Sequence, residues 1–271
     1  MPVLGLAAGL VSAAVFGVAA VVQARAVRGF ETTPDGLWGF VARSVRDVRT
    51  MLVVAAYLVG FLLHAVAIWL LPLYLAQALV AMSLPVTAIA SHRVEDRLHR
   101  TGWLAVGVVT LGLVLLSLGA GDPGDVVTTG HFAAALWVAV AALAAASVVV
   151  RHLPGALLGL VAGLGYAGSA ISVRGVVTPV DPVVVLAALA VPSFSLVAFW
   201  LYSLGMHRAD VPAATASLIV AQTFVPAAVG VALLGDGVRD GWWPAVTLGL
   251  LLAMGGAAVL GVRSRVSPAT R

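Results

Sequence analysis

Nine stretches of apolar residues, each long enough to cross a bilayer, decide what this chain can fold into. They run at about 3–22, 51–70, 74–91, 102–119, 131–150, 155–173, 183–205, 212–234 and 243–262. A transmembrane helix needs about 20 apolar residues, and in lipid every backbone polar group must be satisfied within the segment, so such runs fold as helices. Only 10% of the residues are charged and 62% are apolar, with a mean hydropathy of +1.10; a soluble domain carries roughly 25% charged residues. The 271 residues are used up by these runs and short connections, which excludes a sizeable extramembrane catalytic domain. The first run has no basic residues before it, and Arg25 and Arg28 follow it, so it reads as a retained span and not as a signal peptide.

Charge position orients the bundle. All 15 cations are arginine. With nine spans, Arg25, Arg28, Arg43, Arg46, Arg49, Arg93, Arg97, Arg100, Arg151, Arg208, Arg263, Arg265 and Arg271 fall on one face, and only Arg174 and Arg239 on the other. The positive-inside rule then puts the N-terminus outside and the C-terminus in the cytoplasm. Cations placed between apolar runs set topology against anionic lipid, so no nucleic-acid partner is expected. There is no cysteine, hence no disulfide framework, thiolate metal site or catalytic thiol. Arginine without lysine, beside abundant Ala, Val and Gly, is the composition of a high-GC bacterial genome, and the expected location is the bacterial cytoplasmic (inner) membrane.

Between the first two spans, Leu37, Val41, Val45, Val48 and Leu52 cluster on one side of a helical projection, with Arg43, Arg46, Asp47 and Arg49 opposite. This predicts an amphipathic segment over about 37–50 lying in the cytoplasmic interface, as a linker between spans or as a gate or lipid sensor.

At an offset of 140 residues, EDRLHRTGWLAV (95–106) falls on GDGVRDGWWPAV (235–246). Asp96 meets Asp236, Trp103 meets Trp243, and Pro85 nearly meets Pro226. The two loops lie on opposite faces, so the related helix pairs are inverted. Many secondary transporters use that arrangement to place a substrate site near the midplane. The halves are 1–125, with four spans and the interfacial segment, and 126–271, with five.

Pro85 within a span, Glu95 and Asp96 at its end, and Gly102 followed by GVVTLGLVLLSLGAG resemble the EamA-type repeats of the drug/metabolite transporter (DMT) superfamily. The stretch FLLHAVAIWLLPLYLAQALVAMSLPVTAIASHRVEDRLHR, with the basic loop VVQARAVRG after the first span, is most similar to the NIPA-like branch. The resemblance implies an all-α, inverted-repeat bundle that carries a small metabolite. Its NIPA-like branch implies magnesium or another divalent cation instead. The superfamily plan is ten spans as five plus five, and small multidrug exporters within it use a first-span glutamate that is missing here.

All 11 acidic residues fall in connections or at span ends. Magnesium is bound mostly by carboxylates, so no metal site is assigned, and no buried carboxylate relay for protons is evident. The polar groups inside the spans are neutral. His64 and Gln77 flank the tight turn at Leu71–Leu73 and belong at similar depth. Tyr166, Ser193, Ser195, Gln222 and Thr223 complete the expected substrate-binding set, although His64 and the serines also fit a helix-packing role. Arg174 and Asp181 flank one connection as an outer gate or as a solvated loop. The expected cavity is lined by the second, third, sixth, seventh and eighth spans. Gly159, Gly163 and Gly165 mark close helix approach. No catalytic motif is present, so no enzyme activity and no cofactor are expected. The reading is a secondary carrier of a small neutral or amphipathic substrate, with the lipid bilayer as its surroundings and room for a homodimer. The alternatives are the divalent-cation pathway and a non-transporting scaffold subunit of envelope or lipid machinery.

Overall fold

In the computed structural model, the described residues are 2–28, 36–91, 100–119, 121–122, 124–209 and 211–263. They form an all-helical bundle of α1 (Pro2–Arg28), α2 (Leu37–Ser44), α3 (Val48–Leu70), α4 (Leu73–Ala81), α5 (Ser83–Ser91), α6 (Arg100–Leu118), α7 (Gly130–Val150), α8 (Gly155–Arg174), α9 (Pro182–Arg208), α10 (Val211–Leu233) and α11 (Trp243–Arg263). Seven of these are long and apolar enough to cross a membrane, which makes the chain a multi-pass membrane protein. Two further apolar stretches, Leu73–Thr87 and Trp243–Ala253, are shorter. Side chains such as Leu62, Val138 and Leu251 stand more than 60% exposed, an apolar exterior suited to acyl chains and not to water.

The third expected run is broken, and proline is the cause. Pro85 has no N–H for the carbonyl of Ala81, and its ring collides with that carbonyl in a continuous helix. The chain therefore ends α4 at Ala81, turns at Met82 and restarts at Ser83. In the new helix Pro85 is the third residue, where a missing N–H costs nothing. Glu95 and Asp96 of the repeat lie outside the described residues.

The amphipathic segment is also shorter than its pattern. After Ser44 the chain turns, and the Asp47 carboxylate accepts from the Thr50 amide (2.9 Å) and hydroxyl (2.6 Å), starting α3 one residue later. Val48 and Leu52 therefore belong to the membrane helix, and α2 keeps only Leu37 and Val41 of the apolar stripe. Those Thr50 hydrogen bonds, the hydroxyl first, hold the Asp47 carboxyl below its ordinary pKa. The same logic starts α7, where Thr129 accepts from Phe132, and α9, where Asp181 accepts from Val184 ahead of Pro182.

Helix α1 packs on α3, α4 and α5; α8 packs on α7, α9 and α10; α6 pairs with α11. Small residues allow the closest seams. A Cβ at Gly159 or Gly163 on α8 would collide with the carbonyls of Ala214 and Leu218 on α10. Gly112 and Gly249 meet in the same way where α6 crosses α11. Between the α1 group and the α8 group, the helices leave an interior space.

Candidate functional site

That space is a cavity of about 620 Å³, within the usual range of small-molecule sites. Its wall comes from the five helices expected to line it (α3, α4, α8, α9 and α10) and also from Phe16 on α1, Phe40, Val41 and Ser44 on α2, and Val45 just after α2. Helix α2 thus supplies part of the site and does more than join two spans. Phe40 is almost completely buried, so α2 is anchored inward by an aromatic side chain that the charge pattern did not single out.

Most of the wall is apolar, and its polar groups converge from six helices, α2, α3, α4, α8, α9 and α10. His64 of α3 and Gln77 of α4 meet with Nε2 to Nε2 at 3.2 Å. With the Gln77 amide nitrogen donating, the ring proton sits on Nδ1, which is buried and has no hydrogen-bond partner among the described residues. Ser169 of α8 and Ser195 of α9 bond to each other at 3.0 Å. Tyr166 and Gln222, with Ser44 and Tyr57 toward α2, complete the polar lining. Pro192 and Pro226 sit inside α9 and α10. Each removes the amide that would bond the carbonyl one turn earlier, Ala188 and Gln222 respectively. Gln222 can therefore offer both its side chain and its main-chain carbonyl.

Two members of the expected set lie elsewhere. The Ser193 hydroxyl donates to the Leu189 carbonyl of its own helix (2.9 Å), and the residue is absent from the cavity wall. Thr223, about 100° around α10 from Gln222, faces Val109, Leu116 and Leu250 of α6 and α11, where its buried hydroxyl is unpartnered among the described residues.

Toward the α2 end, a polar and aromatic belt crosses the bundle. The Tyr57 hydroxyl donates to Gln23 Oε1 (2.7 Å), Gln23 Nε2 donates to Ser203 Oγ (2.6 Å), and Ser203 donates to the Phe199 carbonyl (2.8 Å). Phe199 packs edge-on to Tyr57, at 5.8 Å between ring centroids, and against Phe40 at 5.7 Å. Sequence reasoning passed over Gln23; a glutamine near the end of an apolar run was the available signal.

At the opposite end the cavity stops at His64 and Gln77. Beyond them Ile68, Leu71 and Leu73 are buried, and above these lies the chief correction to the sequence reading. Arg174 does not pair with Asp181, which is occupied as the N-cap of α9. Its Nη2 lies 2.6 Å from Asp236 Oδ1, with both side chains buried. Asp236 also accepts from the Leu73 amide at the start of α4 (3.0 Å) and from the Gly124 amide (2.8 Å). Arg174 donates to the carbonyls of Gly124 (2.9 Å) and Ile68 (3.4 Å). A tight turn delivers Asp236: its amide bonds to the Gly230 carbonyl, and Gly235 takes φ +75°, a conformation that favours glycine. Beside it the Tyr74 hydroxyl donates to the Gly237 carbonyl (2.5 Å) and accepts from the Gly121 amide. One of the eleven acids therefore lies buried within the bundle, and the outer connections are fastened to the helices below.

Among the described residues no group of three or more His, Asp or Glu side chains is gathered as a metal site. Family models, curated proteins and solved structures give no match to this chain.

Proposed function

We propose that the chain is a secondary carrier of the drug/metabolite type, crossing a bacterial cytoplasmic membrane nine times with its N-terminus outside, and moving a small neutral or amphipathic solute by alternating access. One observation carries this reading. The roughly 620 Å³ cavity reaches α2 at one end and is sealed at the other by buried side chains beneath the Arg174–Asp236 pair. Access from one side to a site between two packed groups of helices is what alternating access requires of a single state. The paired packing supports it as well, since α1 grips α3 and α4–α5 much as α8 grips α9 and α10.

The test is counterflow in proteoliposomes with a panel of neutral metabolites and with magnesium. At least one neutral solute is expected to exchange, and excess unlabelled solute to compete with it. Magnesium flux without solute exchange would replace this reading with the divalent-cation pathway, and no flux of any kind would leave a scaffold role.

A further inference from the structure

We propose that the cavity admits an uncharged amphiphile sideways from the bilayer, through the gap between α3 and α9, and seats its carbonyl-bearing head against Gln77 and the Ser169–Ser195 pair. This rests on the same cavity as the carrier reading and names its substrate class.

The route follows from which side chains form the wall. Helix α3 is held by α1, and α9 by α8; α3 and α9 face each other across the cavity and approach through the Tyr57–Phe199 ring contact. Leu58 on α3 and Leu196 on α9 both line the cavity, yet they are 59% and 39% exposed. Met51 and Val45, lower on the same wall, are 41% and 63% exposed. Side chains shared by the wall and the exterior mark an opening. Its rim is aliphatic, so a molecule dissolved in lipid crosses it without losing hydration, whereas an ion does not.

The chemistry of the occupant follows from what the wall lacks. Among the described residues it contains no Asp, Glu, Arg or Lys. A buried charge without a partner is strongly disfavoured, and a carboxylate, phosphate or ammonium group has nothing to meet. The polar groups lie deep, at His64, Gln77, Ser169 and Ser195, while Met51, Val54, Leu58 and Leu196 form the apolar approach. Ser169 and Ser195 bond to each other, so one of their two hydroxyl protons remains to donate, and Gln77, whose nitrogen meets His64, carries an amide oxygen as acceptor. An amide matches both. At about 30 Å³ for each water-sized group, the cavity holds roughly 20 non-hydrogen atoms, enough for a primary amide on a ten-carbon chain.

The probe is radiolabelled decanamide, with decanoate and decyltrimethylammonium as charged counterparts, bound to the full chain in nanodiscs and compared with empty discs. Saturable decanamide binding is expected, with both ions at least about tenfold weaker. Ser169→Ala combined with Ser195→Ala removes the hydroxyl donors and lowers decanamide affinity about three- to tenfold. Leu58→Trp combined with Leu196→Trp slows association and dissociation together. Leu58→Ala, which widens the gap, speeds both, so a misfolded double variant does not decide the matter. Equal or tighter binding of either ion, or exchange rates unmoved by both sets of variants, overturns the proposal. Decanamide binding without flux supports this site and removes the carrier reading. Solute flux without decanamide binding does the reverse.

Discussion

Asp236 Oδ1 and Arg174 Nη2 lie 2.6 Å apart with both side chains buried, although 62 residues separate them in the chain. Together they also hold the start of α4 and the segment around Gly124. Removing one partner strands the other charge, at a cost of about 3–5 kcal/mol. Arg174→Ala and Asp236→Ala are therefore each expected to lower thermal stability in detergent sharply. The double variant should lose much less than the sum of the two. Asp181→Ala removes only a helix cap and should cost about 1 kcal/mol.

The glycine seams separate two kinds of glycine. Gly163→Leu forces a side chain into the Leu218 carbonyl and the Ala221 methyl of α10, and is expected to abolish a monodisperse folded species on size-exclusion chromatography. Gly107, within α6, has open space where a Cβ would lie. Gly107→Ala should raise stability by about 0.5–1 kcal/mol through helix propensity alone.

Asp47 gives a pH signature. Its folded pKa is depressed, chiefly by the Thr50 hydroxyl hydrogen bond, so its contribution is fully present above the unfolded value near 3.9 and is lost as pH falls through the folded value. The stability gap between the wild type and Asp47→Ala should be widest above about pH 5 and should narrow below about pH 4. Because the carboxylate is largely solvated, the charged part of that gap is a fraction of the cap's roughly 1 kcal/mol.

Ser193 and Ser195 sit two residues apart with different surroundings. Ser195→Ala removes the partner of Ser169 inside the cavity, and is expected to change solute affinity about three- to tenfold. Ser193→Ala removes a bond to its own helix and should leave affinity unchanged. The same binding or counterflow assay reads both.

What was legible in the sequence was whatever depends on near neighbours. The His64–Gln77 contact follows from a tight turn that sets the two residues at matching depths, and the Asp181 cap from a carboxylate placed just before Pro182. Gln222 and Thr223 show where such reasoning ends. Adjacent polar residues on one helix must face different ways, and only the packing of α10 against α6, α8 and α11 decides which one meets the cavity. Arg174 and Asp181 flank one connection, as an outer gate or a solvated loop, and nearness in sequence offers Arg174 no other acid. The true partner arrives through the turn at Gly235, which no local pattern connects to α8. Likewise Gln23 and Ser203, 180 residues apart, meet only once the two groups of helices close on each other.

Backbone contact at Gly159 and Gly163 ties α8 and α10 into one rigid piece, since sliding either helix drives a carbonyl into the other's main chain. Arg174 ends α8, and Asp236 follows α10 by three residues. Both halves of the ion pair therefore travel on the same piece, and the pair is a rivet, not a latch. In a displacement of the α1 group relative to the α8 group, what separates is the Leu73 amide and the Ile68 carbonyl from an intact Arg174–Asp236 unit. The energy barrier to opening that end is then set by those two hydrogen bonds, the Tyr74–Gly237 hydrogen bond and the side chains beneath them, not by breaking apart two buried charges.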